Sequence, residues 1–283
     1  MRLCPPGGRL RLERGVRGRN DGDHDLHLSS EIVGRLSLKL IDTHAHLDEI
    51  KDVEGALARA KEAGIRAVVG VGADLAANEK ILDLAGRYPS FVFPALGLHP
   101  WRLNKNDLQA NFSLIERELP RCLALGEVGL DFAIETPQEQ QEEVLRRLLA
   151  IASREKKPIL LHARRAWSRA LDLLQAFQVK RAVFHWYSGP AGVLKGIFER
   201  GYFISATPAA AYSERHRRAI KMVPLGRLLL ETDAPEVYQG NASEPKDLFI
   251  ALRAVSELRG QEPGEIADQT FLNAQDFFKL SLP

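Results

Sequence analysis

The stretch EEVLRRLLAIASREKKPILLHA, residues 142–163, is typical of a helix that runs directly into a strand. The first sixteen residues have apolar side chains on one side and charges on the other, as expected of a helix on the outside of a barrel. These apolar residues are Val144, Leu145, Leu148, Leu149 and Ile151. PILLHA (158–163) is short and apolar, which favours a buried strand.

The same alternation extends from residue 39 to the end of the chain. Seven more apolar runs resemble PILLHA, namely LIDTHA (40–45), RAVVGVG (66–72), FVFPALG (91–97), CLALGEVG (122–129), AVFHWY (182–187), YFISAT (202–207) and RLLLET (227–232). Helix-like segments, such as 53–64, separate them. Eight strands that alternate with helices predict an α/β fold, a single (β/α)₈ TIM-type barrel over residues 39–283. Additional C-terminal helices are expected near 244–259 and 263–280.

Composition agrees with one soluble domain. The 283 residues are 45% hydrophobic and 27% charged, and the net charge of +2 neither supports nor excludes a nucleic-acid partner. Cys4 and Cys122 do not suggest a disulfide framework, which favours a reducing compartment. No apolar run approaches the ~20 residues of a membrane span, and no secretory signal is recognisable. We expect a cytoplasmic protein with no membrane partner.

Residues 1–38 differ from the rest. They combine an arginine-rich run and a Pro-Pro-Gly-Gly turn with poor helical periodicity, so we expect a disordered or loosely packed extension. A basic nucleic-acid arm, a targeting segment, a tail and sequence upstream of a misplaced start are alternative interpretations of this extension.

Histidines and carboxylates follow several of the predicted strands. His44 and His46 lie two residues apart at the end of the first strand, so both imidazoles point to one face. Glu127, between two glycines, follows the fourth strand, and Asp233 follows the eighth. Because the carboxyl ends of barrel strands meet at one face, these side chains are expected to converge there.

His162 and His185 end the fifth and sixth strands. Either alone would suit a hydrogen-bonded core histidine, but two on consecutive strands favour shared ligation of a metal. Four imidazoles and two carboxylates suit two ions about 3.5–4 Å apart rather than one. We assign His44, His46 and Asp233 to one ion, His162 and His185 to the other, and Glu127 to a bridge. Asp233 is the expected proton acceptor or orienter of the attacking water.

The chain resembles the TatD family of metal-dependent deoxyribonucleases, which are amidohydrolase-like barrels. The matching motifs, in family order, are DTHAHLD, GLHPW, GEVGLD, LHAR, FHWYSG and ETDAP. The resemblance implies hydrolysis of DNA phosphodiesters, often from a 3′ end, with two Mg²⁺, Mn²⁺ or Zn²⁺ ions. It also implies metal-ligand roles for the six residues assigned above. Single-stranded DNA or a 3′ end is therefore the expected partner.

The chain departs from the family pattern in two loops. HWYSG, residues 185–189, stands where many members have phenylalanine and threonine, and EVYQGNASEP follows ETDAP in place of a more usual Gly-Lys-Asn-Pro pattern. These loops choose the substrate, so specificity is open. The extension 1–38 has no counterpart in the family.

Other polar and aromatic residues have secondary roles in this interpretation. His99 is expected to contact substrate phosphate or support a ligand, Arg164 to clamp phosphate, and Asp131 to orient a ligand. The aromatic residues Trp101, Trp186 and Tyr187 either stack on bases or form the wall of the pocket. We expect His216, in SERHRR, to be a solvated helix residue.

Three alternatives to a nuclease remain. An amidohydrolase or esterase could cleave a small carbonyl substrate with the same ions, because one barrel hosts many chemistries. A barrel without activity could act as a binding protein, although no predicted ligand is missing. A barrel could also use the histidines for acid–base catalysis without metal. A basic rim beside the site, for which Arg164 and Arg165 are candidates, would favour the nuclease.

Overall fold

The computed structural model of the protein describes residues 38–105 and 107–282. Within these residues, eight strands pair in parallel in chain order, each with the next. They are β1 (Leu40–Ala45), β2 (Ile65–Val71), β3 (Val92–Leu98), β4 (Ala124–Asp131), β5 (Ile159–Arg164), β6 (Ala182–Phe184), β7 (Phe203–Ala206) and β8 (Leu228–Leu230). The predicted (β/α)₈ barrel is confirmed. The predicted extension lies outside the described residues, apart from Leu38.

Nine α-helices lie in the described part of the chain. They are α1 (Val53–Glu62), α2 (Leu75–Arg87), α3 (Leu108–Glu118), α4 (Gln138–Glu155), α5 (Trp167–Ala176), α6 (Ala191–Glu199), α7 (Glu214–Met222), α8 (Leu248–Arg259) and α9 (Pro263–Phe278). Asp52, Asp74 and Asp107 cap α1, α2 and α3, each accepting a backbone N–H of the first turn. The two predicted C-terminal helices are present as α8 and α9.

Only β1 has the predicted bounds, and the differences at β4 and β6 bear on the site. β4 begins two residues later than predicted and extends to Asp131, so Glu127 lies inside the strand. β6 ends at Phe184, three residues early, because the chain turns at Trp186, where φ is +43°. The Trp186 N–H leaves the sheet and donates to Ser205 Oγ (3.1 Å) and Glu231 Oε1 (3.0 Å).

Polar contacts between β1 and the segment after β8 close the ring. Asp42 accepts hydrogen bonds from the backbone N–H of Thr232 (2.9 Å) and from its hydroxyl (2.5 Å). Thr43 Oγ1 donates to Leu230 O (2.9 Å), and Ala45 forms a parallel bridge with Ala234. Asp42 and Thr43 are buried, so these hydrogen bonds contribute to stability, because an unpaired buried polar group would be destabilising.

The strand side chains alternate between two apolar layers. Leu40, Val68 and Leu96 belong to the cluster that contains the apolar faces of the outer helices. Ile41, Val69 and the other inward residues cluster instead with four residues of α9. Those four are Phe271, Ala274, Phe277 and Phe278.

α9 therefore covers the amino-terminal end of the barrel. Two hydrogen bonds hold it there, from Asn273 Nδ2 to Leu228 O (2.8 Å) and from Arg181 Nη1 to Phe277 O (2.6 Å). Because this end is filled by aromatic side chains, the opposite, carboxyl-terminal face is the one left for chemistry. No helix in residues 38–105 or 107–282 has both the length and the apolarity needed to cross a membrane.

Candidate metal centre

The carboxyl-terminal face of the barrel brings together all six residues that were predicted to hold metal. His44, Glu127 and His162 lie within β1, β4 and β5, while the other three follow strands β1, β6 and β8. All six side chains are at least four-fifths buried. Their backbone positions are set by the sheet, because neighbouring parallel strands end at the same face.

Glu127 occupies the middle of this group. Its Oε2 faces His44 Nε2 at 3.5 Å and His46 Nε2 at 3.2 Å. Its Oε1 faces His162 Nδ1 at 2.9 Å and His185 Nε2 at 2.8 Å. Each carboxylate oxygen therefore serves a different pair of imidazoles, which is the arrangement required of a carboxylate that bridges two ions.

The donor atoms around Glu127 Oε2 have the spacing of ligands on one cation. Asp233 Oδ1 lies 3.5 Å from His44 Nε2 and 3.6 Å from His46 Nε2. These separations exceed hydrogen-bond lengths, and donors about 2.1 Å from a tetrahedral ion lie roughly 3.4 Å apart. His44 Nε2 is buried and makes no hydrogen bond to any described residue. The residues present therefore fit a divalent ion.

Electrostatics within the cluster favour the charged forms of Glu127 and His46. Burial alone would raise the pKa of Glu127, but the facing imidazoles, His99 and His185 foremost, hold it well below its ordinary value. Burial opposes the charged form of His46, yet Glu127 and Asp233 raise its pKa to about 9. Negative and positive groups are thus mutually stabilised, and bound cations would replace the protons on the imidazoles.

Asp233 has an unusual backbone and an unusual carboxyl group. Its φ is +54°, a left-handed conformation that Asp tolerates better than most residues. Its N–H donates to His44 O (2.9 Å), which fixes the loop after β8 against β1. Burial raises the pKa of the carboxyl despite the nearby imidazoles.

His99 follows β3 and contacts the second oxygen of Glu127. Its Nε2 lies 3.3 Å from Glu127 Oε1, and its Nδ1 accepts the Trp101 N–H (3.2 Å). Burial lowers its pKa to about 4, so the ring is neutral near pH 7. Since Nδ1 accepts, the proton resides on Nε2 and points at Glu127. His99 thus orients the carboxylate, and with Glu127 and His162 it forms a further group of metal-ligating type.

Asp131, at the end of β4, supports His162 from the other side. Its Oδ2 accepts the Trp101 indole N–H (2.7 Å) and lies 3.3 Å from His162 Nε2. Although burial would raise its pKa, these contacts lower it to about 2. Arg164 Nε is 3.6 Å away, so the predicted phosphate clamp is held beside the centre.

Sequence reasoning missed Glu231. This buried residue directly follows β8 and lies two residues before Asp233. Its Oε1 is 3.4 Å from His185 Nδ1 and accepts the Trp186 N–H. His44, His185 and Glu231 form a third group whose donor atoms lie within 4.8 Å of one another. The i, i+2 spacing with Asp233, which indicates one shared face, was the available signal.

Gly129, two residues after Glu127, occupies a position that favours glycine. Its φ is +155°, and a Cβ there would lie 1.9 Å from His162 O. Any side chain would therefore push β5 away from β4 and separate His162 from Glu127. The glycine permits close approach of the two strands that carry these donors.

A cleft of about 610 Å³ opens above the centre. All three tryptophans of the chain line it, namely Trp101, Trp167 and Trp186. Trp101 is 52% exposed although Asp131 fixes its indole. Arg164 also lines the cleft. Tyr187, which was predicted to stack or to line the pocket, is instead buried, and its hydroxyl donates to Pro190 O (2.7 Å).

The prediction for His216 was wrong. The residue is fully buried rather than solvated. Its Nδ1 lies 2.8 Å from Tyr187 O, and its Nε2 accepts the Thr207 N–H (3.2 Å). The basic pattern of α7 suggested a surface position, but one face of the helix packs against the loop after β6. His216 therefore links that loop to the end of β7.

Comparison with known proteins agrees with this geometry. Residues 41–279 match the family described as TatD related DNase. The human deoxyribonuclease TATDN3 is 32% identical over 259 residues, which cover 84% of this chain and 94% of that protein. The 3′-5′ ssDNA/RNA exonuclease TatD of Erwinia tasmaniensis is 31% identical, with 81% of this chain and 95% of that protein covered. The crystal structure of YjjV, a TatD homologue of Escherichia coli, gives a TM-score of 0.80 at 30% identity and covers 87% of this chain and 100% of that one. The chain belongs to the TatD-related DNase family.

Proposed function

We propose that this protein is a two-metal deoxyribonuclease that cleaves phosphodiester bonds of single-stranded DNA from the 3′ end. The observation that carries the proposal is the position of Glu127, which presents one oxygen to each of two imidazole pairs. The names of the human and Erwinia relatives support nuclease activity. The aromatic cleft with Arg164 at its side supports a nucleic-acid substrate.

The proposed ligand sets follow the two sides of Glu127. His44, His46 and Asp233 would hold one ion, and His162 and His185 would hold the other. Bound divalent ions would supply a water of lowered pKa and neutralise charge on the phosphate. A set dominated by imidazoles favours Zn²⁺ over Mg²⁺, which prefers oxygen ligands.

The chain's own groups complete the chemistry. Asp233 orients the attacking water and is the proposed acceptor of its proton. His99 and Asp131 hold Glu127 and His162 in place by the contacts described above. Arg164, whose side chain is half exposed, binds a phosphate oxygen of the substrate.

An end-labelled single-stranded oligonucleotide tests this proposal. Protein stripped of metal should leave it intact, and added Mn²⁺ or Zn²⁺ should produce a ladder that starts at the 3′ end. Glu127→Gln should lower the rate by at least about 100-fold, because a residue that serves both ions is lost. Glu139→Gln, the same change at an exposed position of α4, should not.

Two results would contradict the proposal. Unchanged cleavage by Glu127→Gln would remove the central role of that residue. Stoichiometric metal uptake without any DNA cleavage would favour the alternative, an amidohydrolase or esterase, and would redirect the search to small carbonyl substrates.

A further inference from the structure

A second recess adjoins the cleft described above. It has a volume of about 210 Å³ and shares Trp167 and Ser188 with the main cleft. Its remaining lining comes from residues 189–191 and from Arg215 and Arg218 of α7. No residue of the proposed metal centre lines it, so its chemistry is separate from the hydrolytic step.

The wall of this recess is built by the unusual HWYSG segment. The buried Tyr187 donates its hydroxyl to Pro190 O and so fixes the chain at the start of α6. A Cβ at Gly189 would lie 2.7 Å from Trp167 Cδ2 and from the Tyr187 hydroxyl oxygen. Glycine at this position therefore lets the chain pack directly on the indole. The loop that departs from the family pattern shapes the recess.

Two arginines of α7 give the recess its positive charge. Arg215 and Arg218 are exposed, and their i, i+3 spacing places them on one face of the helix. Arg218 Nη2 contacts Glu214 Oε1 at 3.1 Å, an exposed pair that water screens. Arg217, in contrast, donates hydrogen bonds to Ala210 O and Ala211 O. Arg215 and Arg218 are thus available to an anionic ligand.

The rim of the main cleft is more acidic elsewhere. Glu49 follows β1 and Glu236 follows β8, on neighbouring strands, and Arg102 on the same rim pairs with Glu49 (3.0 Å). Trp167, Ser188 and the α7 arginines belong to the segments after β5, β6 and β7, on the other side of the ring. A polyanion in the cleft is therefore attracted on the β5–β7 side, where the α7 arginines lie, whereas on the β8–β1 side Glu236 repels it and the charge of Glu49 is offset by Arg102.

We infer that this recess binds the next part of a single-stranded DNA substrate, beyond the nucleotide at the metal centre. Arg215 and Arg218 hold a backbone phosphate, and Trp167 stacks with a base. This inference rests on the proposed function. It assigns the strand a direction of exit, over α7, and predicts that oligonucleotides are bound more tightly than dinucleotides.

The double variant Arg215→Ala/Arg218→Ala tests the phosphate contact. Binding is measured by fluorescence anisotropy, with Mn²⁺-loaded protein and a labelled phosphorothioate oligothymidylate that resists hydrolysis. The slope of log affinity against log salt should fall in magnitude by ~0.7, the value for one phosphate contact on a single strand. Arg154→Ala/Arg253→Ala removes the same charge from exposed positions on α4 and α8 and should leave the slope unchanged.

Trp167→Leu tests the stacking contact and keeps an apolar group against the core. It should weaken oligonucleotide binding roughly 5- to 150-fold, with no change in the salt slope. In cleavage assays the Arg215→Ala/Arg218→Ala variant should raise KM for an oligonucleotide and leave turnover of a dinucleotide at the wild-type rate.

The outcomes separate this inference from the proposed function. If the wild type cleaves DNA and the Arg215→Ala/Arg218→Ala variant has the same salt slope as its control variant, the recess is not a DNA-binding site, while the proposed nuclease activity stands. If binding depends on the two arginines but no metal-loaded form cleaves DNA, the recess is a DNA-binding site and the proposed nuclease activity is wrong. Wild-type protein that neither binds nor cleaves the strand would overturn both.

Discussion

Between pH 7 and pH 5 the free energy of unfolding is expected to fall by about 2 kcal/mol less when His216 is replaced by glutamine. His216 is buried between the loop after β6 and the end of β7. Because its Nε2 accepts the Thr207 N–H, the ring is neutral and carries its proton on Nδ1, which donates to Tyr187 O. Protonation of Nε2 would bring two N–H groups face to face.

The magnitude follows from the two pKa values. Burial lowers the pKa of His216 from 6.5 to about 4 in the folded protein. As pH falls below 6.5, the unfolded chain binds a proton that the folded chain does not, so the free energy of unfolding decreases. At pH 5 the loss is about 1.5 pKa units at 1.36 kcal/mol each, or about 2 kcal/mol, and it levels off near pH 4.

Urea unfolding at several pH values measures this effect. Both proteins are stripped of metal, so that loss of bound ions at low pH does not contribute. His216→Gln is expected to be less stable than the wild type at pH 7, because glutamine cannot reproduce both hydrogen bonds, yet to lose about 2 kcal/mol less stability on acidification. Parallel curves for the two proteins would refute the buried neutral histidine. An imidazole NMR signal of His216 that titrates near pH 6.5 in the folded protein would do the same.

Three further predictions concern other buried groups. The Cys122 thiol donates to Glu118 O (3.2 Å), and burial raises its pKa to about 12. Iodoacetamide at pH 8 should therefore leave Cys122 unmodified until the protein unfolds, which mass spectrometry of the Cys122 peptide measures. Asp131→Asn weakens the support of His162 and should lower affinity for Mn²⁺ by roughly 10- to 100-fold in calorimetry; an unchanged affinity would exclude an orienting role. Gly129→Ala should destabilise the protein by more than about 1 kcal/mol in urea unfolding, because its Cβ meets His162 O and its φ is positive, whereas Gly192→Ala, in open space, should not.

The strands and the main donors were accessible from sequence because each follows a local rule. Apolar runs of four to eight residues mark the buried strands, and the first polar residue after each run marks the face where they end. His162 and His185 illustrate this, since His162 lies near the end of β5 and His185 directly follows β6, and the neighbouring strands carry donors as well. Parallel pairing places both histidines beside Glu127, so their convergence could be predicted without knowing any distance.

The residues that were missed depend on long-range packing. His216 lies in a basic helix whose pattern indicates solvent, and only the loop after β6 buries it. Glu231 and Asp233 are only two residues apart, but which of them contacts His185 depends on how the chain turns at Trp186. Trp167 and the α7 arginines are far apart in sequence and meet only because the loops after β5, β6 and β7 are neighbours in the ring.

Counting bound ions tests the central claim, a two-ion centre that depends on Glu127. Protein stripped of metal is equilibrated with Mn²⁺, freed of excess ion and analysed by elemental mass spectrometry, with Glu127→Gln and Glu139→Gln measured in parallel. Two Mn²⁺ per chain are expected for the wild type and for Glu139→Gln, and at most one for Glu127→Gln. Two ions retained by Glu127→Gln, or none held by the wild type, would contradict the account.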